Sequence, residues 1–86
     1  MKKLFMSPVE SSQLKSAGYD QDSDDLYIEF KTGVVYRYSE VPPEVFEKLT
    51  LSSSAGSYFA ANIKGNYEYK KLDLLVDPEH NLTLKN

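Results

Sequence analysis

Apolar and polar residues alternate most cleanly between Leu26 and Lys31. Leu26, Ile28 and Phe30 fall on one side, and Tyr27, Glu29 and Lys31 on the other. A period of two marks a half-buried strand. Upstream lie a weaker strand, Leu14 to Tyr19, interrupted by Gly18, and the acidic run DQDSDD, which has the polarity of a hairpin loop. Downstream, Lys31-Thr32-Gly33 decides which side chains share a face. A two-residue type I′ turn would force the β-branched Thr32 to positive φ, whereas a three-residue loop asks this only of Gly33. The three-residue loop sets Phe30 against Val34, Ile28 against Tyr36 and Leu26 against Tyr38. The tyrosine pair then joins the apolar face, and Arg37, the chain's single arginine, points outward opposite Tyr27.

Beyond Val41 the period lengthens. Val45, Phe46 and Leu49 share a helical face, Pro43 suits a first turn, and Glu44 and Lys48 stand four apart as a pair, which predicts a helix over residues 41–50. Ala55, Phe59 and Ile63 then recur every fourth residue with Tyr58 beside them, giving a second helix capped by Ser53 or Ser54 and stopped at Gly65. In the tail, the apolar runs LDLLV and LTL flank Asp77-Pro78-Glu79-His80-Asn81, the pattern of a turn between two short strands or extended segments. The expected fold is α+β: a small three-stranded antiparallel meander followed by two helices, with the C-terminal tail offering an extra strand or hairpin.

With 86 residues there is room for one small domain, whose apolar side chains must nearly all serve a single core. The composition, 41% hydrophobic and 27% charged, is that of a folded soluble protein. No cysteine is present, which removes disulfides and thiolate metal sites and permits a reducing compartment. The start MKKLFM is basic and then apolar, but Ser7, Pro8 and Glu10 cut the run short of a signal-peptide core, so the expected location is cytoplasmic. Nothing approaches the roughly 18 apolar residues of a membrane helix, and no membrane association is expected. A net charge of −3 gives no general attraction to phosphate, so nucleic-acid binding would need a local basic patch.

Gly33, Tyr36-x-Tyr38, Val41-Pro42, Phe46, Ser54-x-Gly56, Tyr58-Phe59, Ile63-Lys64 and Tyr67 form an ordered series that resembles the KTSC domain. This is a short bacterial and phage module also found at the carboxyl end of some lysyl-tRNA synthetases. The resemblance covers residues 11–69. It implies an N-terminal extension over residues 1–10 and a C-terminal extension over 70–86 that packs on or beside the domain. It carries over no catalytic residue, and its place on a synthetase suggests RNA. The chain departs from the family pattern at Ala55, Ser57 and Ala60, where basic or polar residues are common.

Among chemical signals, Asp20, Asp22 and Asp24 match the first ligand spacings of a calcium loop. Asp25 replaces the required glycine, however, and Lys31 the closing glutamate, so a solvated loop is expected and no metal. His80 has no second histidine or cysteine to form a nucleophilic or zinc site, and Ser52, Ser53 and Ser54 have no accompanying base. The expectation is a non-catalytic binding module without a cofactor. Three classes of partner remain open. RNA or single-stranded nucleic acid would use Tyr27, Tyr58 and Tyr67 with Arg37, Lys64, Lys70 and Lys71. A protein partner would use the same tyrosines with Arg37 as anchor, Tyr36 and Tyr38 adding hydroxyls at the sheet's rim. A small anion or nucleotide would sit at the start of the second helix, against Ser54 and Gly56. The apolar tail also invites pairing between copies as a homo-oligomer.

Overall fold

The computed structural model describes residues 1–85. Its elements are β1 (Lys2–Phe5), β2 (Ser7–Pro8), β3 (Leu14–Asp20), β4 (Asp25–Phe30), β5 (Val35–Tyr38), α1 (Pro43–Leu51), α2 (Ala55–Asn62), β6 (Tyr69–Leu72) and β7 (Asn81–Leu84). Gly33 takes φ +95°. Its amide donates to the Phe30 carbonyl at 2.8 Å and the Phe30 amide to the Val34 carbonyl at 2.9 Å, closing the three-residue turn. Leu26 therefore lies opposite Tyr38, Ile28 opposite Tyr36 and Tyr27 opposite Arg37.

β3, β4 and β5 form the expected meander, but the sheet has five antiparallel strands, ordered β2-β3-β4-β5-β6, rather than three. β2 sets Ser7 opposite Ala17, and β6 sets Tyr69 opposite Tyr38 and Leu72 opposite Val35. Both additions escape pattern reading for physical reasons. A two-residue strand has no period. In Tyr69-Lys70-Lys71-Leu72 the consecutive lysines break the alternation, because on an edge strand both can reach water.

The two helices cover one face. Leu26, Ile28 and Tyr38 of the sheet pack with Leu49 of α1 and with Ala55, Phe59 and Ile63 around α2. α1 starts at Pro43, with Pro42 as the extended residue before it. The expected Glu44–Lys48 pair does not form: the ion pairs of the described residues are Lys2 with Asp20 and Asp22, and Lys15 with Glu29. Ser54 precedes α2 as expected but makes no side-chain cap. Its Oγ donates to Ser57 Oγ at 2.9 Å, while the Ala55 amide donates to the Glu10 carbonyl at 2.8 Å. Gly65, at φ +82°, follows the end of α2.

The opposite face is covered too, which alternation alone does not reveal. β1 and β7 pair antiparallel, with Lys2 opposite Leu84 and Leu4 opposite Leu82, and the resulting ribbon lies over the sheet. Leu4, Met6, Leu82 and Leu84 pack there with Tyr27 and Val35 in a second core. Of the two forms expected of the tail, the extra strand is present and the hairpin is not: β7 pairs with β1 in a ribbon built from segments far apart in the chain. Leu72, Leu74 and Val76 pack along its margin, and a turn over residues 77–80 leads into β7. Gly18 marks the tightest contact: a Cβ there would sit 2.6 Å from Met6 Sδ and 3.0 Å from the Phe5 carbonyl oxygen. Glu29, also beneath this layer, accepts a hydrogen bond from Ser16 Oγ at 2.6 Å. No helix among the described residues is long and apolar enough to cross a membrane.

Lys2 ties the ribbon to the acidic loop, its Nζ lying 2.6 Å from both Asp20 Oδ1 and Asp22 Oδ2. These hydrogen bonds push the Lys2 ammonium up to about 12. The Lys2 hydrogen bond, helped by the Asp22 amide and opposed by burial, holds the Asp20 carboxyl below its ordinary value. Asp20 therefore contributes stability that is complete above the ordinary carboxyl value of 3.8 and is lost as pH falls through the lowered folded value. Thermal melts across the acid range are expected to show this loss in the wild type and a shallower one in Lys2→Met. In urea titrations, Leu82→Ala, at a fully buried position, is expected to cost about 3 kcal/mol.

Candidate functional site

Strand alternation distributes the polar and aromatic residues of β5 and β6 between the two faces. Tyr36 and Tyr38 of β5, with Tyr69 and Lys71 of β6, lie on the helix side, whereas Arg37 and Lys70, which oppose each other, lie on the ribbon side. The pairing brings three tyrosine rings together. Tyr36 and Tyr69 centroids are 5.6 Å apart with planes at 23°, and Tyr38 and Tyr69 are 5.9 Å apart at 36°. Phe30 meets Tyr36 edge-on at 5.5 Å, and Phe59 of α2 meets Tyr38 edge-on at 5.7 Å. Such pairs add about 0.5–1.5 kcal/mol each beyond their area burial, which makes the cluster a firm platform.

A cleft of about 700 Å³ opens between these rings, the C-terminal part of α2 and the β4–β5 turn. Its aromatic wall grades from Tyr38, 4% exposed, to Tyr69, 62% exposed. Burial, reinforced by the neighbouring Tyr36 and Tyr69, pushes the Tyr38 hydroxyl up to about 12, so it remains protonated at neutral pH. Ser12, Gln13 and Thr32 add neutral polar groups, and Lys31, Lys64 and Lys71 add positive charge. Among the described residues, no aspartate or glutamate lines the cleft, although the chain carries 13 acidic against 10 basic residues. A shallower concavity formed by residues 65–69 adjoins it and contains Glu68.

Of the residues proposed from sequence, Tyr36, Tyr38, Lys64 and Lys71 line this cleft. Tyr27 does not: it is 5% exposed beneath the ribbon and cannot serve as an open stacking face. Burial first, then the Asp25 carboxylate, pushes its hydroxyl up, against the opposing Arg37 charge. Arg37 is half-buried on the same face, and Lys70 is exposed beside it. Tyr58 and Tyr67 pack against the helix-side core. Ser54 is exposed and its hydroxyl is turned to Ser57, whereas Gly56 belongs to a packing contact, since a Cβ there would lie 2.7 Å from Ser11 Oγ. The close approach expected of a ligand is made there by the chain's own N-terminal segment.

Sequence reasoning missed Tyr69, Lys31, Phe30 and Phe59 as cleft residues. Tyr69 continues a Tyr67-Glu68-Tyr69 alternation that was readable but ended in lysines. Phe30 and Phe59 look like core residues, and they are packed as such while also presenting surface to the cleft. The assembled groups supply ring faces, hydroxyls and ammonium charges, a combination suited to an anionic partner with flat apolar parts.

Residues 10–67 match the profile of the KTSC domain family. An uncharacterized protein of Stutzerimonas stutzeri is 41% identical over 66 residues, which is 76% of this chain and 93% of that protein. A lysine–tRNA ligase of Nostoc punctiforme is 41% identical over 63 residues, covering 73% of this chain but 11% of the ligase. In the crystal structure of a KTSC domain protein from Yersinia pestis, 97% of that chain aligns with 80% of this one, at 33% identity and a TM-score of 0.76.

The exposure gradient along the aromatic wall separates structural from surface rings. Tyr38→Ala is expected to destabilise the fold by about 3 kcal/mol, and Tyr69→Ala, which gives up two ring pairs but little burial, by about 1 to 2 kcal/mol. Equilibrium urea denaturation of the two variants checks the difference.

Proposed function

The chain belongs to the KTSC family, and on that premise we propose that it is a non-catalytic binding module that takes RNA or another single-stranded nucleic acid in the cleft between α2 and the β5–β6 edge. One observation carries the proposal: three lysines and, among the described residues, no aspartate or glutamate line a cleft with an aromatic wall in a chain whose net charge is −3. Such a local reversal of charge supplies the phosphate attraction that the overall composition lacks. The similarity to part of a lysine–tRNA ligase points the same way. An interaction centred on Tyr27 and Arg37 is less favoured, because the ribbon occupies most of that face. The start of α2 is likewise engaged by Glu10 and Ser11. Neither metal nor cofactor enters the proposed activity, and the setting proposed for it is cytoplasmic.

The adjacent lysines of β6 offer an internal control. Binding of a fluorescein-labelled single-stranded RNA is expected to weaken about tenfold or more when Lys64→Glu and Lys71→Glu are combined. Lys70→Glu, on the other face, is expected to leave binding within about twofold of wild type. Fluorescence anisotropy at low salt measures both, and melting curves verify that the variants fold. Equal losses from the two faces would contradict the assignment.

A further inference from the structure

We propose, resting on the reading above, that the cleft takes a short unpaired segment with one base against Tyr69 and about three phosphates on Lys31, Lys64 and Lys71, and that it discriminates against duplex. The inference follows from where apolar surface and charge lie relative to one another. The rings form the wall of a concave cleft, while the three lysines come from the β4–β5 turn, the end of α2 and β6. A ligand that satisfies both must turn its flat apolar parts inward and keep its charges outward. An unstacked nucleotide does so by splaying its base away from the backbone. A duplex cannot, because its base faces are covered by neighbouring pairs and the phosphate backbone meets the protein first.

The number of stacked bases follows from exposure. Tyr38 is 4% exposed and lies behind Phe59, so its ring is committed to the core. Tyr36 is half-buried between Phe30 and Tyr69. Tyr69 alone among the tyrosines of the wall is largely open, at 62% exposure, while its packing on Tyr36 and Tyr38 holds it in place. It thus provides one rigid stacking face. Ser12, Gln13 and Thr32 lie within the same cleft and can meet the polar edge of the base. An acidic peptide would also satisfy the lysines, but it would leave the open ring face without a flat partner.

The full chain is to be titrated with labelled oligouridylates of two, four and eight nucleotides, with an eight-base-pair RNA duplex, and with a glutamate-rich peptide. Affinity is expected to rise from two to four nucleotides and then by no more than about threefold to eight. For the four-nucleotide probe, log K is expected to fall against log salt with a slope of about −2, reduced by about 0.7 in Lys64→Ala. The duplex is expected to bind about tenfold more weakly than the eight-nucleotide strand. Because the chain contains seven tyrosines and no tryptophan, quenching of tyrosine emission on binding reports the stacked base directly. Tyr69→Leu is expected to lose most of that quenching and about tenfold in affinity, whereas Tyr69→Phe keeps the affinity. Equal affinity for duplex, or a steep gain between four and eight nucleotides, overturns the footprint while leaving nucleic-acid binding intact. Failure of every oligonucleotide to bind at about 50 mM salt removes the nucleic-acid reading as well. Preferential binding of the peptide does the same and assigns the cleft to an acidic protein segment.

Discussion

Three residues join Phe30 to Val34, and the last of them is a glycine at φ +95°. Much of the molecule hangs on that turn, because side chains on a strand alternate and a slip of one residue would exchange the faces. With the observed register, Tyr36 and Tyr38 meet Phe30 and Phe59 on the helix side, while Val35 and Arg37 face the ribbon. The same register carries into β6, since Tyr69 is placed by Tyr38 and Lys71 by Tyr36. A shift would put Arg37 against the helices and leave the tyrosines beneath the ribbon. The cleft exists because a local steric preference at Gly33 sets the position of side chains on two further strands.

How much could be read from the sequence depended on the range of the interaction responsible. The β4–β5 hairpin and both helices were legible, since turn chemistry and a repeated period are local. The ribbon was not, since the pairing of Leu4 with Leu82 joins segments from opposite ends of the chain. Tyr27 and Glu29 illustrate the cost of that blindness. Their alternation with Leu26 and Ile28 looked like the polar face of a half-buried strand, yet both faces of β4 are covered. Gly18 held a clue, because a glycine within a strand often marks close approach of another backbone, and Met6 and Phe5 make that approach. For the site, the aromatic and basic residue types were recognisable individually. Their sorting between two faces required the register of β6, whose neighbouring lysines obscure its strand character.

The charge distribution follows from the same architecture. The acidic β3–β4 loop could have set a repulsive field around any phosphate, but Lys2 is drawn to Asp20 and Asp22 and offsets part of that charge. Lysines of the cleft are unmatched by any aspartate or glutamate among the described residues of its lining. The chain can therefore be acidic as a whole and cationic at one concavity. At distances beyond a Debye length, roughly 8 Å in physiological salt, a partner approaching the cleft feels mainly the charges nearest to it.

The ribbon has one more consequence, for the order in which the molecule assembles. Lys2 and Leu84 are paired although they are far apart in sequence, so their meeting closes a much longer loop than any pairing among β3, β4 and β5. An isolated two-stranded ribbon is marginal in water and gains its support from the sheet beneath. β3, β4 and β5, linked by short turns, can associate through nearby contacts before the ends come together. Closing the ribbon therefore carries a higher chain-entropy cost than any hairpin of the sheet, and the burial of Leu4, Met6, Leu82 and Leu84 against Tyr27 and Val35 is what offsets it.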